Sequence, residues 1–199
     1  MRVLPLLFAA SVLSAAEPVV LNRDGAWCWF QDERVLVDGR QLYVTSISSK
    51  GDVQVNTWNL ATGAVRAFTL ADHFQVDDHN VPALLLRSEA PDPHGLIGTT
   101  THSGQASAPR MFVRVTTKPH DTTAWEPAQT LDFGSPHGFS YANPFQLPAE
   151  GGRIYFFWRS LNYNPTWSRS DDNGRTWSRA ANHIFYKKGE RPYVKYASN

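Results

Sequence analysis

Four residues of this chain have types and spacing suited to acid–base and anion chemistry: His79, His102, Tyr141 and Arg159. An imidazole takes up a proton near neutral pH. A phenol can give or take one, and a guanidinium clamps a carboxylate through parallel hydrogen bonds. Two alignments place the four. His102 stands as far after Gly95 as Arg159 stands after Gly152, and the corresponding residue after Gly39 is Ser46. His79 in "HNVP" and Tyr141 in "YANP" each stand the same distance before a proline, ahead of the first strand of their repeat. In an antiparallel pair the start of one strand lies beside the end of the next, so the four are expected on one face. Each also has a plain structural role open to it. His79 can cap a strand entrance with Asp77, Asp78 and Asn80, His102 can sit in a turn, Tyr141 can bond its hydroxyl to backbone in the core, and Arg159 can pair with an acid. Together on one face they favour function.

The elements that must position them read as strands. "RVLVDGRQLYVTSI", "VQVNTWNLATGAVRAFTL" and "GGRIYFFWRS" alternate or are rich in aromatic and β-branched residues, with Asp38-Gly39, Thr62-Gly63 and Gly151-Gly152 as turn signals. No helical pattern follows the first residues. Gly39, Gly95 and Gly152 recur at near-equal intervals, and each opens an apolar strand. A third strand follows in each copy ("DVQVNTW", "RMFVRVT", "TWSRS") and then a fourth ("AVRAFTL", "WEPAQTL", "TWSRAANHIF"). Four short strands in roughly 50 residues is the pattern of one β-propeller blade. The expected fold is therefore all-β, a propeller of four-stranded blades with about three present. Closure takes about four to eight, so residues 17–199 are expected to be the N-terminal part of a propeller domain. Ser170, Asp172, Gly174, Thr176 and Trp177 fit S-x-D-x-G-x-T-W, the Asp-box of sialidase-like propellers. Its role is structural: an acid that accepts turn N–H groups, a glycine free to take positive φ, and a tryptophan that packs between blades.

Composition bounds the partners. Aromatic residues make up 13% of the 199, with 13 glycines and 13 prolines, which suits turn-rich β-structure. The single cysteine, Cys28, excludes an internal disulfide. "MRVLPLLFAASVLSAAEP" has Arg2, an apolar run too short to span a bilayer and a small-residue cleavage site, so residues 1–16 are expected to be a secretory signal and the mature chain secreted or periplasmic. Lys and Arg number 19 against 18 Asp and Glu, and without Arg2 the balance is even. No basic run is present, which argues against nucleic acid as a partner. An anionic ligand would have to be held by local charge.

Taken together, "GAWCWFQDERVLVDGRQLYVTSIS", "DDHNVPAL", "TTTHSG", "SYANPF", "RIYFFWRS", "SDDNGRTWS" and "RPYVKY" resemble the BNR-repeat family that includes the ulvan lyases, from about Gly25 to the end of the chain. The resemblance implies a seven-bladed propeller that cuts anionic, uronate-containing polysaccharide by β-elimination, with two histidines, a tyrosine and an arginine in its site. By motif these fall on His79, His102, Tyr141 and Arg159. Arg159 would neutralise the uronate carboxylate, His79 or Tyr141 would take the C5 proton, Tyr141 could instead protonate the leaving oxygen, and His102 would help hold the carboxylate or orient its neighbours. Asn80, Asn143, Trp158 and Arg191 are candidates to contact substrate. The chemistry requires no cofactor, although Asp78, His79 and His102 could hold a divalent ion; their spacing is not a zinc pattern. Two further readings stand beside this one. A sialidase-like hydrolase would need an arginine cluster and a Tyr–Glu pair, and the front of the chain lacks an Arg-Ile-Pro opening. A non-catalytic glycan-binding propeller would stack sugars on Trp158, Tyr163 and Trp167.

Overall fold

The computed structural model describes residues 17–31, 34–88, 94–100, 111–131, 139–184, 186–187 and 189–197. The signal-like residues 1–16 and His102 lie outside them. The fold is all-β, built as three successive antiparallel sheets. The first runs β1 (Val35–Asp38), β2 (Gln41–Ile47), β3 (Val53–Asn59), β4 (Val65–Ala71), each strand beside the next. The second comprises β5 (Ala83–Arg87), β6 (His94–Thr100), β7 (Met111–Lys118), β8 (Asp121–Trp125) and β9 (Gln129–Leu131). The third comprises β10 (Ser140–Leu147), β11 (Arg153–Ser160), β12 (Asn164–Ser170) and β13 (Ala181–Asn182). Each sheet falls on one copy of the sequence repeat. Among the described residues the only helical turns are short 3₁₀ segments, at Asp78–Asn80, Pro148–Glu150 and Leu161–Tyr163. No described helix is long and apolar enough to cross a membrane.

Two expected fourth strands differ in detail. "WEPAQTL" does not form one strand. β8 pairs with the end of β7 and β9 with its beginning, and the break falls at Glu126–Ala128, where Pro127 cannot donate to the ladder. In "TWSRAANHIF" the regular ladder with β12 shortens, among the described residues, to Ala181–Asn182, flanked by single backbone bonds from Ser178 N–H to the Arg169 carbonyl and from His183 N–H to that of Pro165, and the Ser170–Trp177 turn takes up the start of the stretch.

The middle sheet is buried on both faces, so its strands "ALLLR" and "GLIGTT" read as apolar runs rather than alternating ones. On one side Val81, Leu84 and Ile97 join Tyr43, Ile47, Val53, Val55 and Leu70 of the first sheet. On the other, Ala83, Met111, Val113 and Leu131 join Phe139, Ala142, Ile154, Phe156 and Trp158 of the third. Gly98 lies opposite Ala83 and Val113, and these small residues leave a hollow for the ring of Phe156. A Cβ at Gly98 would collide with that ring.

Candidate active site

β10 and β11 bring the first two site residues together. Ser140 pairs with Arg159 and Asn143 with Phe157, so Tyr141 and Ala142 oppose Trp158 alone. This is a β-bulge, which re-aims a side chain. Tyr141 takes φ 65, a left-handed conformation unusual for an aromatic residue. Tyr141 therefore lies inside the first strand of its sheet, at the bulge, rather than ahead of it. Asn143 holds the bulge, its Nδ2 donating to the carbonyl of Tyr141 at 2.6 Å and to that of Phe30 at 3.1 Å.

His79 comes from the 3₁₀ turn before β5. Asp77 caps that turn, accepting from the His79 backbone N–H at 2.9 Å. The same carboxylate oxygen is 2.6 Å from His79 Nδ1, and Asp78 Oδ1 is 3.2 Å from it. A carboxylate only accepts, so Nδ1 carries the proton and the lone pair of neutral His79 sits on Nε2. From the other side, Gln31 Nε2 donates to the His79 carbonyl at 2.8 Å, and Thr99 Oγ1 donates to that of Asn80 at 2.9 Å. Asn80 is fully buried and donates to Gln75 Oε1. Asn80 and Asn143 are thus engaged within the fold rather than turned out to a substrate, Asn143 on the carbonyls of Phe30 and Tyr141 and Asn80 on the Gln75 side chain.

The rings of His79 and Tyr141 stack, with centroids 4.8 Å apart and planes at 29°. The Arg159 guanidinium lies over Tyr141 at 4.7 Å, Tyr193 at 4.6 Å and Tyr163 at 5.6 Å. Arg159 is only 7% exposed, and no carboxylate pairs with it among the described residues. Phe30 closes the group, its ring 5.0 Å from Tyr141 and 5.2 Å from Tyr193. Burial pushes the Tyr141 phenol above its ordinary value, while the charge of Arg159 pulls it the other way and the acidic side chains of Cys28, Tyr193 and Asp78 add to the rise. Burial likewise raises the Cys28 thiol.

The structure thus brings His79, Tyr141 and Arg159 together. Trp158 is different. Its side chain follows Ile154 and Phe156 to the core face of β11, packed against Phe139 and Phe156 and turned away from His79, Tyr141 and Arg159, so it does not line the site. Its Arg159 neighbour points to the opposite face, as strand alternation requires. Arg191 is exposed and lies over the Tyr163 ring at 4.4 Å, and Trp167 is half-buried, 5.8 Å from Tyr155. Gln31, Phe30 and Tyr193 are parts of the site to which the sequence assigns no role, and Asp77, expected only as a cap, also bonds the His79 ring. The two short motifs "WFQ" and "RPYVKY" were the available signal. Asp77, Asp78 and His79 also offer ligand atoms within 4.8 Å of one another, but the bond from Asp77 to Nδ1 engages the atoms a cation would need.

Away from the site, the Ser170–Trp177 turn is closed by its own side chains. Ser170 Oγ accepts from Gly174 N–H at 2.8 Å and donates to Asp172 Oδ1 at 2.8 Å. Asp172 accepts from the Thr176 backbone and hydroxyl at 2.8 and 2.5 Å. Trp177 packs edge-on to Phe156 at 5.6 Å.

Similarity to known proteins agrees with this architecture. Residues 31–199 match the BNR repeat-containing family, and the chain belongs to it. No curated protein sequence matches the chain. Among solved structures, an ulvan lyase is similar with a TM-score of 0.61 at 19% identity, over 80% of this chain and 40% of that one. An ulvan lyase bound to -[GlcA(1-4)Rha3S]- gives 0.59 at 19% identity, over 76% and 37%. An exo-β-1,3-galactanase of Phanerochaete chrysosporium gives 0.53 at 16%, over 80% and 42%. The chain thus spans about two fifths of the length of these structures.

Proposed function

We propose that this chain is the N-terminal part of a secreted β-propeller polysaccharide lyase that cleaves uronate-containing, ulvan-like polymers by β-elimination. The observation that carries the reading is Arg159: a buried guanidinium with no carboxylate partner among the described residues, set against the stacked His79–Tyr141 pair. Each aromatic face is worth about 0.5–2 kcal/mol to a cation, whereas a buried charge without its partner costs several kcal/mol. A substrate carboxylate supplies that partner.

In this reading the uronate carboxylate docks on Arg159, which removes the charge that would oppose a carbanion at C5. Nε2 of His79 takes the C5 proton, and the Asp77 bond to Nδ1 keeps the ring in the required tautomer. The C5–H electron pair forms the C4–C5 double bond and the C4–O bond breaks. Tyr141, which burial keeps protonated, gives its proton to the departing oxygen. His102, equivalent to Arg159 in the repeat, is assigned to the carboxylate. No step uses a metal or cofactor.

The test incubates the full-length protein with a panel of uronate polysaccharides and follows the ultraviolet absorbance of an unsaturated uronate end. A rise that His79→Ala and Tyr141→Phe each abolish is the expected result. New reducing ends without that absorbance would mean hydrolysis. Binding without turnover in either form would mean a glycan-binding propeller.

A further inference from the structure

Arg159 is not the only cation at this site. Tyr163 shares its ring between two guanidiniums, Arg159 at 5.6 Å and Arg191 at 4.4 Å. The first is at the floor and the second is exposed at the rim. Neither has a carboxylate within ion-pair distance among the described residues. Two like charges on one ring repel each other, and an anion between or above them relieves that repulsion. The backbone is bent to hold this arrangement: Asn162 and Tyr163 both take φ 65, two consecutive non-glycine residues in the left-handed region. Tyr141, on the other side of Arg159, has the same φ. Strain of this kind persists where surrounding structure enforces it, and it collects at ligand sites. The two strained tyrosines face the same guanidinium.

We propose that Tyr163 and Arg191 form a second oxyanion site beside Arg159, one that reads a carboxylate or sulfate ester on the sugar adjoining the bound uronate. Arg191 contacts the anion, and Tyr163 is the positioning residue that holds Arg191 at a fixed distance from Arg159. The substrate is then recognised by two neighbouring charges, not by the uronate alone. This rests on the lyase reading for the identity of the first anion, but affinity tests it without turnover.

The experiment measures the affinity of the full-length protein, by calorimetry, for three oligosaccharides: one whose uronate adjoins a sulfated sugar, the same one after desulfation, and a homouronate. Arg191→Gln is expected to weaken binding of the first or the third by about tenfold or more while changing the second by less than about twofold. Loss confined to the sulfated ligand identifies a sulfate ester, and loss confined to the homouronate a carboxylate. Tyr163→Ala is expected to reproduce the loss, and Tyr163→Phe, which keeps the ring, to restore wild-type affinity. Equal loss on all three ligands, no loss on any, or no binding of any by the wild type overturns the second site. Wild-type binding without unsaturated product overturns the lyase reading and leaves the affinity comparison to decide the second site on its own.

Discussion

The chemistry assigned to His79 depends on a neighbour two residues away. Asp77 both caps the turn that carries His79 and accepts from its ring, so one carboxylate sets the backbone and the tautomer together. Asp77→Asn keeps the size and an oxygen that can both cap the turn and accept from Nδ1, but it removes the negative charge that steadies the imidazolium formed when Nε2 takes the C5 proton. The expected outcome is a fall in kcat of about a hundredfold or more, with affinity for the intact polymer unchanged. Affinity that falls in step with kcat would reduce Asp77 to a structural cap. Tyr141 is matched to the opposite task. Burial holds its proton beyond the pH at which an ordinary phenol, with a value of 10.0, would lose it, which suits an acid.

At the scale of the element, strands and turns were legible because their signals are local. Each Gly-led strand, each apolar run and the Ser170–Trp177 turn is written in a few consecutive residues. What was not legible is non-local. Tyr141 enters the site through a bulge whose extra residue is defined only by the register of β11. Trp158 and Arg159 look equally available in "FFWRS" until the packing of Phe156 decides which face is core. Tyr193 reaches Arg159 from a segment without regular structure. The turn itself gives a pH-dependent prediction. Burial disfavours the charged form of Asp172, but hydrogen bonds from Thr176 and Ser170 outweigh it and hold the carboxyl at about 2, below the ordinary 3.8. Because the folded value is the lower one, the stabilisation is complete above about pH 4 and is lost as pH falls towards 2. Asp172→Ala should therefore cost about 1 kcal/mol at neutral pH, as losing a capping side chain does, and progressively less in acid. Denaturant unfolding of the full-length protein and the variant at several pH values measures this. A difference that stays constant down to the acid limit would rule the ionised turn out as its source.

At the scale of the molecule, the site exists because two sheets are locked together. His79 precedes the middle sheet, whereas Tyr141 and Arg159 belong to the third, and the 4.8 Å ring stack spans the joint. The joint is set by Phe156 of β11 seated over Gly98 of β6, with Trp177 edge-on behind it. Interiors this dense transmit strain rather than absorb it. Gly98→Ala adds one methyl group where the Phe156 ring already lies, so it should destabilise by about 1–3 kcal/mol, the usual cost of overpacking. It should also lower activity, because the sheets part where His79 meets Tyr141. A compensating Phe156→Leu tests the cause: the smaller side chain is destabilising alone, yet combined with Gly98→Ala it should recover part of both losses. Thermal unfolding and kcat of the four full-length proteins form a double-mutant cycle. Additive losses would mean that Gly98 and Phe156 act independently and that the joint is set elsewhere. A positive coupling seen in stability and in kcat together would tie the geometry of the site to the packing between the sheets.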